Sequence, residues 1–409
     1  MSGLRAALRV GEFRALLVSY VINRAGDVVG ALALAVVVLA RTGSALAAAT
    51  LFLCTQFIPG LIGPFLVARV DRVAPGRILP ALYLVEGLLF TLLALLVKRA
   101  GVELIFTLAF ADAQLAFIAR SVTRAAAAST LIPHGLMPEG KAAFNIALAA
   151  ATIAGPIIGG LAVAALGAPI ALAIDAATFM LAAGLLARAG ALDAPVDGSG
   201  AGSAPGRGRL RESIHYIARQ PALRALIAGE GLAFVFFYLV VPVTVVYARR
   251  CMHAGAGGYA AMLAAWGVGI AIGSAAHVRL ARRIGAGMML ASTLAVAIGY
   301  LATGLAPTLA VACGASVVGG VGNGTQWASV ETAIHQLVAE ALRARVAAVL
   351  EALAALAPGA GILLGGTLTA VFSPRAAYVV AGLGLVALVG AGARSRLSSE
   401  LRLAEVAGC

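Results

Sequence analysis

Arg188-Ala-Gly-Ala-Leu-Asp193-Ala-Pro-Val-Asp197-Gly198-Ser-Gly-Ala-Gly-Ser-Ala-Pro-Gly206-Arg-Gly-Arg-Leu-Arg211 is the one long polar stretch in a chain of 409 residues. Its Gly/Ser core has the composition of a flexible linker. Apolar runs bounded by charge, Pro or Gly lie on both sides of it. Six precede it, near 15–40, 45–68, 78–97, 103–126, 142–165 and 168–187, and six follow, near 222–247, 257–278, 287–305, 308–334, 346–372 and 376–393. The chain is 62% hydrophobic and 11% charged, with mean hydropathy +1.00, whereas soluble domains carry about 25% charged residues. About 250 apolar residues suffice for roughly a dozen spans of about 20 residues across a 30 Å hydrocarbon layer. The expectation is an all-α membrane protein of twelve transmembrane helices in two pseudo-symmetric six-helix bundles. The first bundle occupies 1–187, a cytoplasmic linker 188–211, and the second bundle with a short tail 212–409.

The net charge of +13 raises the possibility of a phosphate-tracking protein. The distribution of the basic residues argues otherwise, because they punctuate the apolar runs. With Met1 in the cytoplasm, 23 of the 30 Lys and Arg residues fall at the cytoplasmic face and six outside: Arg41, Lys98, Arg99, Arg249, Arg250 and Arg375. Arg24 alone lies within a span. This is a strong positive-inside pattern, with both termini cytoplasmic and no nucleic-acid partner. The N-terminal Arg5, Arg9 and Arg14 precede the first apolar run without a small-residue cleavage site, so the start reads as a cytoplasmic lead-in.

The two halves echo each other. Arg69-Val-Asp71-Arg72 has a counterpart in Arg279-Leu-Ala-Arg282, 210 residues on, and Gly155 and Gly159-Gly160 have counterparts in Gly361 and Gly365-Gly366, 206 residues on. Transporters built from repeated bundles show such weak internal repetition. A coincidence between Gly-rich helices is the competing reading.

Enzymatic signatures are missing from the sequence. There is no Gly-x-x-x-x-Gly-Lys-[Ser/Thr] loop for ATP, and neither a Ser/His/Asp set nor His-Glu-x-x-His at usable spacing. Cys54, Cys251, Cys313 and Cys409 form no Cys-x-x-Cys pair, and the five histidines have no metal-ligand spacing. The expectation is a non-enzyme with no cofactor and no metal.

Intramembrane charge carries the most information about mechanism. Arg24 and Asp27 stand three apart on one face of the first helix, where an unpaired charge costs at least about 2.5 kcal/mol. Asp27 is a candidate proton carrier whose affinity for the proton changes as Arg24 pairs and separates; a permanent structural ion pair is the other reading. Asp112, Glu86, Glu230 and Glu331 are further candidates, alternatively satisfied by neighbours or placed near an interface. Arg120 and Arg124 read as anchors facing lipid phosphate. Phe234, Phe236, Phe237, Tyr238, Gln326 and Trp327 are candidates for the wall of a substrate cavity, although four aromatics within five positions cannot all face one way.

Several motifs carry a resemblance. They are Phe13-Arg14-Ala-Leu-Leu, Gly26-Asp27, Thr42-Gly43-Ser44, Gly63-Pro64-Phe-Leu-Val67-Ala-Arg69-Val-Asp71-Arg72-Val-Ala-Pro-Gly76-Arg77, Leu131-Ile-Pro133, Phe144-Asn145, Gly155-Pro156-Ile-Ile-Gly159-Gly160 and Ile174-Asp175-Ala-Ala-Thr-Phe179. In the second half, Arg211 to Arg224 and Arg343-Ala-Arg345 continue the match. With these the chain resembles the major facilitator superfamily, and within it the macrolide-efflux and enterobactin-exporter branch of drug:proton antiporters. The resemblance implies a secondary transporter working by alternating access, a proton-coupled exporter of an amphipathic compound such as a macrolide or a siderophore. It further implies a monomer in a bacterial inner membrane, with a small-molecule substrate, protons and lipid as its partners. Import on the same fold, or a non-transporting membrane sensor, are the alternatives.

In that family the loop with Gly63, Asp71, Arg72 and Arg77 latches one conformation, and Gly155, Pro156, Gly159 and Gly160 mark exporters. A carboxylate such as Asp71 is favoured at a helix N-terminus, and basic residues at an anionic leaflet. Val67 replaces the family's loop glycine and Arg69 replaces an apolar residue, which points to a weaker latch.

Overall fold

The computed structural model describes residues 2–70, 73–189, 215–284, 287–338 and 340–394; the side chains at 2, 3, 145, 148, 149, 152, 278–284, 327, 331, 335, 340, 341, 344, 345, 347, 348 and 351 lie outside that description. The described residues are helical, with no strand among them. A short helix α1 (Ser2–Arg9) leads into α2 (Gly11–Thr42). Then follow α3 (Ala45–Phe52), a π-helical turn (Leu53–Phe57) and α4 (Ile58–Val70), which form one rod. The first half continues with α5 (Pro75–Leu96), α6 (Val102–Leu131), α7 (Met137–Leu166) and α8 (Ala168–Ala189). The second half has α9 (Pro221–Leu239) running into α10 (Val241–Arg250), then α11 (Gly255–Ile284), α12 (Met288–Leu305), α13 (Leu309–Leu337), α14 (Glu340–Val371) and α15 (Pro374–Arg394).

Among the described residues, twelve long rods therefore stand where twelve apolar runs were expected. Ten contain helices long and apolar enough to cross a membrane, and Ile153–Leu166 is a shorter apolar helix. Large apolar side chains such as Phe65 (71% exposed), Leu95 (71%) and Phe372 (72%) have no protein cover, a pattern suited to hydrocarbon as the surrounding solvent. This is a multi-pass membrane protein.

Two rods depart from the uninterrupted helices that the sequence suggests, each with a proline close to the departure. Pro59 lacks an N–H, and in an α-helix its ring would strike the carbonyl four residues back, at Thr55. The π turn over Leu53–Phe57 opens the backbone there, with the Ile58 N–H donating to the Leu53 carbonyl five residues back. In the seventh rod the helix breaks at Val240, between α9 and α10, and Pro242 stands in the first turn of α10, where its missing N–H is tolerated. The Val240 carbonyl accepts from the Thr244 N–H at 2.9 Å and also from the Thr244 hydroxyl at 2.8 Å. Outside the spans, the Arg41 guanidinium donates to the Val97 and Ala100 carbonyls. A cation thereby caps the C-terminal end of α5.

The chain divides into two compact units, one of Met1–Gly43 with Leu51–Ser203 and one of Ser44–Thr50 with Ala204–Cys409. Most of the expected linker falls outside the described residues. In the first unit α2 packs on α6, α7 and α8, and α5 packs on α6 and α8. In the second, α13 packs on α11 and α12, α9 on α14, and α12 on α15.

Glycine makes the closest of these approaches possible. A Cβ at Gly361 would stand 2.3 Å from the Val235 carbonyl oxygen of α9, and one at Gly365 1.9 Å from that of Leu239. At the corresponding place in the first unit, a Cβ at Gly155 would meet Val28 Cβ of α2 at 2.7 Å, and one at Gly159 would meet Val29 Cα at 3.0 Å. In both units glycines of the fifth long rod let it approach the first, although the facing residues are not related by the same 206-residue spacing: Val29 faces Gly159, whereas Val235 faces Gly361.

Candidate functional site

The first unit holds a polar cluster built from four helices. On α2, Arg24 Nη1 donates to Asp27 Oδ2 at 3.0 Å, as the spacing of three predicts. Arg120 on α6 brings its Nη1 to 3.9 Å from the same oxygen. This corrects the reading of Arg120 as a lipid-phosphate anchor: a half-buried guanidinium finds its counter-ion across the bundle, while Arg124 one turn on is exposed. The pair side chains remain partly accessible, 31% for Arg24, 27% for Arg120 and 13% for Asp27.

Beside this triad stand further acids and amides, most of them buried. Glu86 on α5 is wholly buried, and neither carboxyl oxygen has a hydrogen-bond partner among the described residues. Asp112 on α6 has Oδ1 closed from solvent without a partner. Asp175 on α8 is wholly buried, and Thr178 donates to its Oδ1 at 3.3 Å. Glu86 lies within electrostatic reach of Asp112, Asp27, Arg120 and Asp175. Asn23 and Gln114 add buried amide atoms with no partner. Tyr83 places its hydroxyl 3.5 Å from Thr123 Oγ1. A buried polar group without a partner costs on the order of 1–3 kcal/mol, and several such groups are gathered here in one bundle.

The second unit carries a smaller polar contact. Gln326 on α13, 3% exposed, donates Nε2 to both oxygens of Glu230 on α9, at 3.2 and 3.4 Å. These two residues stand 206 positions after Arg120 and Arg24 respectively. The same two places in the repeat thus carry polar side chains in both units. Gln326→Leu is expected to cost about 1–3 kcal/mol by leaving a buried carboxyl without a donor. It would be read as a lower thermal midpoint in detergent, and an unchanged midpoint would show that the amide contributes nothing.

The other expected residues are placed as follows. Phe236 lays its ring where a Cβ on Gly384 would be, 2.3 Å from Cε1, so it packs against α15. Tyr238 is half-buried, with its Cβ beside Gly361. The side chains of Trp327 and Glu331 lie outside the described residues, as do Asp71 and Arg72. Gly63 packs under the Phe117 ring of α6, where a Cβ would stand 2.2 Å from Cδ1, and Arg77 is exposed at the start of α5. Gly155, Pro156, Gly159 and Gly160 are all buried, whereas Ile157 and Ile158 between them are exposed.

An aromatic group in the second unit went unread in the sequence. Trp266 stacks on Tyr300 at 5.4 Å, Tyr300 meets Tyr378 at 5.9 Å, and Tyr378 meets Tyr247 at 5.1 Å. Thr244 and Tyr378 share a hydroxyl contact of 2.8 Å, and Arg375 lies 6.0 Å over the Tyr247 ring. These residues come from four helices, and no short-range spacing joins them.

No family model matches the chain, and no curated protein matches it by sequence. Solved structures do match in shape. A bacterial homologue of the human lysosomal transporter Spinster, in an inward-facing and unoccupied conformation, is 15% identical, with a TM-score of 0.66 over 98% of this chain and 97% of its own. The nucleoside transporter NupG is 12% identical with a TM-score of 0.70 over 93% and 98%. A bacterial homologue of the iron transporter ferroportin is 16% identical with a TM-score of 0.66 over 93% and 99%. At such identities the likeness establishes fold and leaves chemistry open. The long helical rods among the described residues, with these likenesses along nearly the whole length, give the chain the major facilitator fold.

Proposed function

We propose that this protein is a secondary active transporter, a proton-coupled exporter of an amphipathic organic compound that works by alternating access. The observation that carries the reading is Asp27, set within the first span between two guanidiniums and backed by buried acids. An ionisable group inside the bilayer is costly to keep, and in transporters it marks an ion or substrate path. While Asp27 is ionised it serves as counter-ion to both Arg24 and Arg120, offsetting one of their two positive charges. Once it takes up a proton, both guanidiniums lose their counter-ion, so the proton changes the electrostatics of α2 and α6 together. A conformational change biased by that difference would couple proton entry to substrate exit.

Export in place of import rests on the Gly155-Pro156-x-x-Gly159-Gly160 segment and the resemblance it carries. The substrate classes put forward are macrolides and siderophores, the organism is bacterial, and the membrane is the inner one with both termini cytoplasmic. The latch at Gly63, Asp71, Arg72 and Arg77 belongs to the same proposal. So does a monomeric working unit, since one chain supplies both bundles.

The test uses proteoliposomes containing the purified protein and preloaded with either a macrolide or a catecholate siderophore. Imposing a pH gradient should accelerate release of one of them, and collapsing it with a protonophore should remove the acceleration. Release that proceeds equally with and without the gradient would end the proton-coupling claim.

A further inference from the structure

One acid in the first unit stands apart from the Asp27 ion pairs yet has a seat shaped for it. Asp175 on α8 lies against α2 where two glycines, Gly26 and Gly30, occur four residues apart. A Cβ at Gly30 would stand 2.0 Å from Asp175 Oδ2, and one at Gly26 would stand 2.4 Å from Oδ1 and 2.0 Å from Thr178 Oγ1. The notch in α2 is thus filled by a carboxyl and the hydroxyl beside it. It offers the carboxyl little else. The Thr178 hydroxyl is shared, at 2.7 Å to the Asp175 backbone carbonyl and 3.3 Å to Oδ1. Oδ2 has no hydrogen-bond partner among the described residues, and the residue is wholly buried.

The charged surroundings come from every side. Asp27 on α2 and Asp112 on α6 lie within electrostatic reach of Asp175, as does Glu86 on α5. Arg24 and Arg120 are held on Asp27. α7 also packs on α8, but its acid and base, Glu139 and Lys141, stand in its first turns.

We infer that Asp175 is a positioning residue for coupling: whether it carries a proton sets how closely α8 seats on the Gly26–Gly30 face of α2, and through α2 it sets the placement of Arg24 and Asp27. This rests on the transporter reading above. A neutral carboxyl can lie against glycine Cα–H groups and a hydroxyl at modest cost. A carboxylate in the same notch has one shared donor and three acids nearby, and an ionised group so placed must find partners or water. The proton leaves from the Asp175 O–H to water or to a neighbouring carboxylate, and no other bond forms or breaks. The freed carboxylate then draws away from the notch, loosening α2 on α8. Proton occupancy at a fully buried site is thereby converted into the packing of the helix that carries the accessible ion pair.

The experiment is hydrogen exchange of the full-length protein in detergent micelles at about pH 5 and about pH 8, corrected for the intrinsic pH dependence of amide exchange. Peptides covering 20–32 and 171–182 should exchange at least about tenfold faster at the higher pH in the wild type, since local opening free energy falls when the seat is lost. Asp175→Asn keeps the shape and cannot titrate, so both peptides should remain protected at both pH values. Thr178→Val removes the one donor and should move the pH at which protection is lost; it also serves if the Asp175→Asn protein does not fold. Wild-type exchange that is equal at the two pH values overturns the proposal. So does a pH difference that survives Asp175→Asn, and so does one that vanishes in Glu86→Gln while persisting in Asp175→Asn. Failure of the transporter reading would show instead as gradient-independent release by the wild-type protein in vesicles, a separate measurement.

Discussion

Asp27→Asn is expected to lower pH-gradient-driven efflux by roughly a hundredfold, to the level of protein-free vesicles, if the intramembrane charge is worth about 2.5–3 kcal/mol to the coupled step. The asparagine amide keeps the size of the carboxyl, but it neither takes up a proton at working pH nor serves as counter-ion to Arg24 and Arg120. Loss of function alone would not separate coupling from structure, because the single variant leaves two guanidiniums without their shared partner. The double variant Arg24→Gln with Asp27→Asn removes one charge of each sign and leaves Arg120 as it was in the single variant. If Arg24 and Asp27 are only a structural ion pair, the double variant should regain gradient-driven efflux. If Asp27 carries the proton, the double variant should recover yield and thermal midpoint yet remain uncoupled. Exchange of labelled for unlabelled substrate without a gradient, measured on the same vesicles, reports whether the substrate path survives.

The second large effect concerns stability. Gly365→Ala places a methyl group 1.9 Å from the Leu239 carbonyl oxygen, a backbone atom that cannot rotate away. The helices α9 and α14 must then separate, at an expected cost of about 2–4 kcal/mol. The repeat provides a milder comparison: Gly159→Ala meets Val29 Cα at 3.0 Å and should cost about 1 kcal/mol. Gly314→Ala provides the reverse. No heavy atom lies within 4 Å of a Cβ there, so the better helix former should leave stability unchanged or raise it by up to about 1 kcal/mol. Thermal midpoints in detergent, followed by fluorescence of the two tryptophans, should fall in that order. A Gly365→Ala protein as stable as wild type would mean that α9 and α14 approach less closely than described.

Much of the architecture was legible because a bilayer imposes length and composition on each span. Twelve apolar runs became twelve rods among the described residues, with ends set by Pro, Gly and Arg. The Arg24–Asp27 contact was legible too, since a spacing of three on a helix places two side chains together whatever the fold. Arg120 was not: its partner lies on another helix far off in sequence, and at a helix end it looked like any basic residue near a leaflet. Glu230 and Gln326 were each singled out, but their hydrogen bond was not. The signal was present in the repeat, since both stand 206 residues after Arg24 and Arg120, the interval already visible in the glycines. Asp175 was quoted within a motif and given no role. What marks it is a gap on another helix, Gly26 and Gly30, and a gap becomes informative only once the side chain that fills it is known. Phe236 shows the converse limit, since hydrophobic content alone does not distinguish a cavity wall from packing against Gly384.

The π turn at Leu53–Phe57 makes the second rod a helix with one residue more than its α-helical path requires. Each residue in an α-helix advances the face by about 100°, so the surplus residue rotates everything beyond it by that amount relative to an unbroken helix. Ala45 to Phe52 and Ile58 to Val70 therefore follow two different angular phases, and no single hydrophobic stripe runs the length of the rod. Gly63, which packs under the Phe117 ring of α6, lies beyond that phase jump. Straightening the turn into regular α-helix would swing Gly63 out of that contact, and with it the start of the loop that leads to α5. A local change in winding inside the span is thus geometrically tied to the orientation of the segment leaving it.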